Sequence, residues 1–168
     1  MKKLNVLKTL VDVFWLFALI TTPIMLLIVG YGTLQNSSDI STNSMISLFY
    51  KDFKLSTKLI LLSIAIIYFI IAYSIFQFRK ILKEFQKTEV FSDLVLNGFH
   101  KMGLALIIAS TLSGSTSFLY ALIVKQKLAL SFSLSPFMLM LCFGLFFMIL
   151  SEVFKIAKQA KEENELTV

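Results

Sequence analysis

Charge is scarce in this sequence, and cysteine and histidine are almost missing. Asp, Glu, Lys and Arg make up 15% of its 168 residues, against about 25% in an average soluble protein. The single cysteine, Cys142, lies inside an apolar run, which excludes an intramolecular disulfide and any cluster of thiolate metal ligands. It reads as a small lipid- or core-facing side chain. The single histidine is His100, and no His/Glu or Cys/His spacing suggests a metal site. There is no glycine-rich phosphate loop, no G-x-S-x-G turn and no buried dyad suited to intramembrane hydrolysis. The expectation is a non-enzymatic protein with no cofactor.

Hydrophobic residues are abundant instead, at 57%, and they are segregated into long runs. That composition excludes a disordered, collagen-like or low-complexity chain. It exceeds what a water-soluble core of this size uses, so the class is an all-α integral membrane protein. A helical crossing takes about 20 mostly apolar residues. Four windows qualify, at about residues 10–31, 59–78, 102–124 and 136–154. The first follows Lys2, Lys3 and Lys8 as a signal peptide would, but its apolar stretch is too long and no small-x-small site follows it. It reads as a retained span. The whole chain forms one membrane domain, with an external loop at 32–58, a cytoplasmic linker at 79–101 and a cytoplasmic tail at 155–168.

Orientation follows from Lys and Arg. With the N-terminus inside, eleven of the 16 basic residues are cytoplasmic, in three groups: Lys2 to Lys8, Arg79 to Lys101, and Lys155 to Lys161. Five lie outside: Lys51, Lys54, Lys58, Lys125 and Lys127. The positive-inside rule therefore places both termini in the cytoplasm. Net charge would not have decided it, because acidic residues bring both sides to +3. The formal charge of +6 is thus explained by membrane orientation, and no direct contact with nucleic acid is expected.

Local signals refine the spans. Pro23 sits within the first and frees the carbonyl of Leu19, which predicts a kink that Thr21 and Thr22 could satisfy. Residues 35–44 (QNSSDISTNS) read as a loop, and 46–53 as an interfacial stretch. Ile81, Leu82 and Phe85 continue the helical spacing past the second span, and Ser92-Asp93 reads as a helix start. Two arrangements suit residues 79–101: a hairpin protruding from the inner face, or a basic amphipathic stretch lying on anionic lipid. Ser135-Pro136 reads as N-cap and first residue of the fourth helix, which runs on past the membrane.

Gly103, Ala105, Ala109, Ser113 and Ser117 form a small-residue stripe in the third span. Such a stripe lets helix backbones approach closely. It suits packing within one chain, and a homodimer equally. No span has a charge at its middle, where ion-coupled transport usually places one. Asp12, Arg79, His100 and Glu152 lie near the cytoplasmic ends. In a compact bundle they could meet as a polar cluster sensing pH or ligand, with His100 the group that switches near neutrality. The alternative is four interfacial residues paired with lysines or water.

The last part of the chain is the most distinctive. Ser151-Glu152-Val153-Phe154, then Glu162-Glu163-Asn164-Glu165-Leu166-Thr167-Val168, resembles the closing signature of a bacterial membrane family known as domain of unknown function 2975. Val90-Phe91-Ser92, Asn97 and Met102-Gly103 are similar to the family's linker. Val90 departs from its usual proline, and Phe99-His100-Lys101 from Leu-Arg-Lys. The resemblance implies four spans in the bacterial inner membrane. It also implies work alongside a small helix-turn-helix regulator of the Xre/Cro type, whose gene often neighbours the family's. The candidate contacts for such a partner are Arg79, Lys83, Lys87, Asn97, Glu162, Glu163 and Val168. The leading expectation is a membrane regulator that sequesters this transcription factor. The alternatives are an envelope-protection or peptide-immunity protein, and a small transporter or channel subunit.

Overall fold

The computed structural model describes residues 2–34, 55–87, 90–123 and 135–166. Most of the expected external loop, the stretch 46–53 and Val168 lie outside the described residues. Within them the chain is all helix: α1 (Lys2–Leu34), α2 (Leu55–Gln86), α3 (Asp93–Ile123) and α4 (Pro136–Leu166). All four are long and apolar enough to cross a membrane. At 31 to 33 residues each is roughly 45–50 Å long, well beyond a hydrocarbon core of about 30 Å. α2, α3 and α4 remain helical past their apolar windows, as far as Gln86, Asp93 and Leu166. α1 extends too, starting at Lys2 rather than near residue 10, because Asn5 and Lys8 find partners on α2.

The helix starts follow local chemistry. Ser92 caps α3: its carbonyl accepts from the Val95 and Leu96 amides, and its Oγ from Val95 N at 3.4 Å. Ser135 holds the same place before α4 through its carbonyl, which accepts from Met138 N and Leu139 N. Its hydroxyl, however, is buried without a hydrogen-bond partner. α1 is helical straight through Pro23. The nearby hydroxyls do not serve the carbonyl of Leu19, as the sequence suggested. Thr22 and Tyr68 donate to Ala18 O, one residue earlier, each at 2.7 Å, and Thr21 Oγ1 is shared between Phe17 O at 2.9 Å and Ala18 O at 3.2 Å.

Packing follows the order of the chain: α1 against α2, α2 against α3, α3 against α4. Rings also join α2 to α4, Phe78 with Phe147 and Phe85 with Phe154. Three helices thus share a core, and α1 lies along α2. Among the described residues Val11 is the one buried hydrophobic residue of α1. The end of α2 and the start of α3 pack side by side, with Ile81 against Gly98 and Phe85 against Phe99.

α3 and α4 approach most closely. A Cβ on Gly103 would stand 2.7 Å from Gly144 O, and one on Gly144 would stand 3.0 Å from Gly103 O. Hydroxyls pin this crossing on both sides: Ser151 Oγ donates to Leu96 O at 2.9 Å, and Ser110 Oγ to Phe137 O at 2.6 Å. Of the small-residue stripe, Gly103, Ala105 and Ala109 are buried within the chain, Ser113 is half-buried and Ser117 is exposed. Ser151→Ala would remove one buried interhelical bond. It is expected to lower stability by about 1 kcal/mol in a denaturant titration in detergent.

Candidate functional site

α1 and α2 run antiparallel in a constant register. Asn5 meets Gln86, Asp12 meets Arg79, Trp15 meets Phe76, Thr21 meets Tyr68, and Thr33 O meets Lys58 Nζ. Polar pairs concentrate at one end. Gln86 Nε2 donates to Asn5 Oδ1 at 2.8 Å and Lys8 Nζ donates to Gln86 Oε1 at 2.7 Å. Arg79 Nε donates to Asp12 Oδ1 at 2.5 Å, with both side chains part-exposed.

The same level can be followed across the other helices. Ile81 touches Gly98, and Gly103 touches Gly144. These contacts bring Asp12, Arg79, His100 and Glu152 within about a turn of one height along the helix axes. They do not form one cluster. Only Asp12 and Arg79 join, while His100 and Glu152 are exposed and make no hydrogen bond or ion pair among the described residues. Sequence spacing placed them along their helices, but the side each helix presents depends on packing.

At and beyond this level the ends of α2, α3 and α4 form a cap around a shared core. Ile81 and Val95 are completely buried, and Phe99 and Met102 nearly so. Phe99 stacks on Phe147 and Phe154 and meets Phe85 at an angle. A surface ion pair, Lys158 Nζ to Asp93 Oδ1 at 2.7 Å, ties α4 to the start of α3.

The partner-contact candidates fall around this cap. Lys83, Asn97, Glu162 and Glu163 are exposed. Lys87 reaches back to Glu84 at 2.9 Å, and Glu162 lies 3.8 Å from Lys158. Glu84 is a buried carboxylate that sequence reading passed over. Its signal was its place three residues after Ile81, on the apolar face of α2. The exposed apolar residues of the cap were also missed. Leu94 is 47% exposed, Val153 57%, Ile156 64% and Leu166 85%. Among the described residues no group of three His, Cys, Asp or Glu side chains could hold a metal.

A family model for proteins of unknown function, DUF2975, matches residues 17–168. The chain belongs to that family. The DUF2975 match takes in the whole cap and tail and three of the four residues at the charged level, with Asp12 ahead of it. No curated protein and no solved structure matches the chain.

Proposed function

We propose that this protein is a non-enzymatic regulator of the bacterial inner membrane that holds a small helix-turn-helix transcription factor on its cytoplasmic cap. Both termini face the cytoplasm, and the level of Asp12, Arg79, His100 and Glu152 marks the inner membrane boundary. The basic residues at that end support this orientation.

The observation that carries the reading is that Ile156, about one turn past Glu152, and Leu166, about four turns past it, are exposed apolar residues on the same helix, with Val153 exposed at the charged level itself. Lipid accounts for exposed apolar residues inside the bilayer but not beyond it, where such a patch marks an interaction surface. The partner's chemistry follows from the same helix. Its last turns carry Glu162, Glu163 and Glu165 against Lys161, and they suit the basic face with which a helix-turn-helix protein meets phosphates. Capture on this surface would compete with DNA.

The test is a mild-detergent pull-down of the full chain and of a variant truncated after Ala160, from a host carrying the regulator. The full chain is expected to retain the regulator in near-equal amount, and operator DNA to displace it. The truncated chain and Ile156→Asp are expected to lose it. A regulator whose membrane fraction is unchanged when this protein is deleted would overturn the proposal.

A further inference from the structure

We propose that the groove between α1 and α2, with the lysine row that continues it, binds one anionic phospholipid from the leaflet at the basic end. The groove has a volume of about 550 Å3 and is lined by Trp15, Thr22, Pro23, Leu26, Phe69 and Tyr73, among others. Its walls are almost wholly apolar, and it is an open groove rather than a closed cavity, so it suits a hydrocarbon chain arriving sideways from the bilayer.

The headgroup half is written on the same face of α2. Phe69, Tyr73, Phe76, Lys80, Lys83 and Lys87 follow one another at alternating steps of four and three residues, which is one continuous helical stripe. The two halves touch: Lys80 Nζ lies 4.4 Å from the centre of the Phe76 ring, and that ring lies 5.2 Å from Trp15 at the groove's end. Arg79 is committed to Asp12. Lys80 and Lys83 are exposed and make no ion pair among the described residues.

The dimensions agree. From Phe69 to Lys80 the helix rises roughly 16 Å, close to the roughly 15 Å depth of one hydrocarbon leaflet. A lipid with its phosphate at Lys80 and Lys83 would end its chain beside Leu26 and Phe69. Charge at one end and an apolar trough of leaflet depth at the other select an anionic phospholipid over a zwitterionic one. The inference rests on the membrane insertion proposed above, but not on the transcription-factor partner.

The test is native mass spectrometry of the full chain released from detergent, with phosphatidylglycerol or phosphatidylcholine of identical chains. One phosphatidylglycerol per chain is expected to be retained, and phosphatidylcholine is not. Lys80→Ala with Lys83→Ala is expected to weaken retention roughly tenfold. Ala72→Phe and Leu19→Trp, two independent ways to fill the groove, are each expected to abolish it. Lys155→Ala with Lys161→Ala should leave it intact, and millimolar glycerophosphoglycerol, the headgroup without chains, should not compete. Unfolding midpoints identify which groove variants fold, and any folded one decides. Equal retention of both lipids, undiminished retention in a folded groove variant, or displacement by the bare headgroup would each overturn the proposal. The regulator is absent from this experiment, and resistance to alkaline carbonate extraction tests insertion separately.

Discussion

Gly103→Leu is expected to separate α3 from α4 and to lower stability by about 3 kcal/mol. The added Cβ alone would meet Gly144 O at 2.7 Å and Met148 N at 2.9 Å. These are backbone atoms of a helix, so no side-chain rotation relieves the clash. The helices must move apart, and the bonds from Ser110 and Ser151 would lengthen with them. Gly144→Leu should behave alike, since its Cβ would meet Ile107 N and Gly103 O at 3.0 Å. Two controls separate this from a general effect of losing glycine. At Gly114 the nearest atom is a Phe137 ring carbon at 3.7 Å, and at Gly30 nothing lies within 4 Å. Gly30→Ala should be neutral or stabilising by up to about 1 kcal/mol, from helix propensity alone. Equilibrium unfolding of Gly103→Leu, Gly144→Leu, Gly114→Ala and Gly30→Ala in mixed micelles measures the difference. Equal midpoints for Gly103→Leu and Gly30→Ala would refute the close crossing.

The crossing shows how much of the fold could be read from the chain. Helix number, the approximate spans and the Ser92 start follow from hydropathy and capping chemistry, which are local. The small-residue stripe announced a close approach somewhere on α3, but not its partner. Gly144 stands alone among Cys142, Phe143 and Leu145, with no stripe of its own, so nothing in α4 advertised the contact. The carbonyls that receive Ser110 and Ser151 belong to Phe137 and Leu96, whose side chains say nothing about that role.

The charged level was partly legible for a similar reason. Asp12 and Arg79 could be placed near the same end because both lie close to the edge of an apolar run. That they pair, while His100 and Glu152 turn outward, depends on helix rotation. Rotation is set by whatever packs best on the opposite side. For α3 that is Gly98 against Ile81 together with Phe99 in the aromatic core, and with both inward His100 is left outward. The exposure of Val153, Ile156 and Leu166 was hidden by the same ambiguity. In an apolar helix, lipid-facing, core-facing and partner-facing residues share one alphabet, and only the packed structure sorts them.

Phe99→Ala is expected to be the most damaging single side-chain truncation, because Phe99 joins all three helices of the cap. Its ring lies 6.0 Å from Phe147, 5.6 Å from Phe154 and 6.2 Å from Phe85, and the residue is 4% exposed. Two effects make up the loss: transfer of the removed ring from water, and the void it leaves. In a bilayer the first vanishes, since lipid tails are as apolar as the core, and the second remains. If the cap stands in water, as proposed, both apply, and the loss should be about 4 kcal/mol. A loss of roughly half that would place the cap within the bilayer and overturn the reading of a cytoplasmic platform. Phe99→Leu keeps most of the volume and should lose far less. Phe118→Ala, at a residue 40% exposed, should change stability by less than about 0.5 kcal/mol. Hydrogen exchange locates the damage. Amides of residues 80–86 and 94–99 should exchange faster in Phe99→Ala, with α1 and the far halves of α2 and α3 unchanged. Because Val153 and Ile156 ride on the helix that Phe99 holds through Phe147 and Phe154, the same variant should, if the proposed regulator docks there, release it without leaving the membrane fraction.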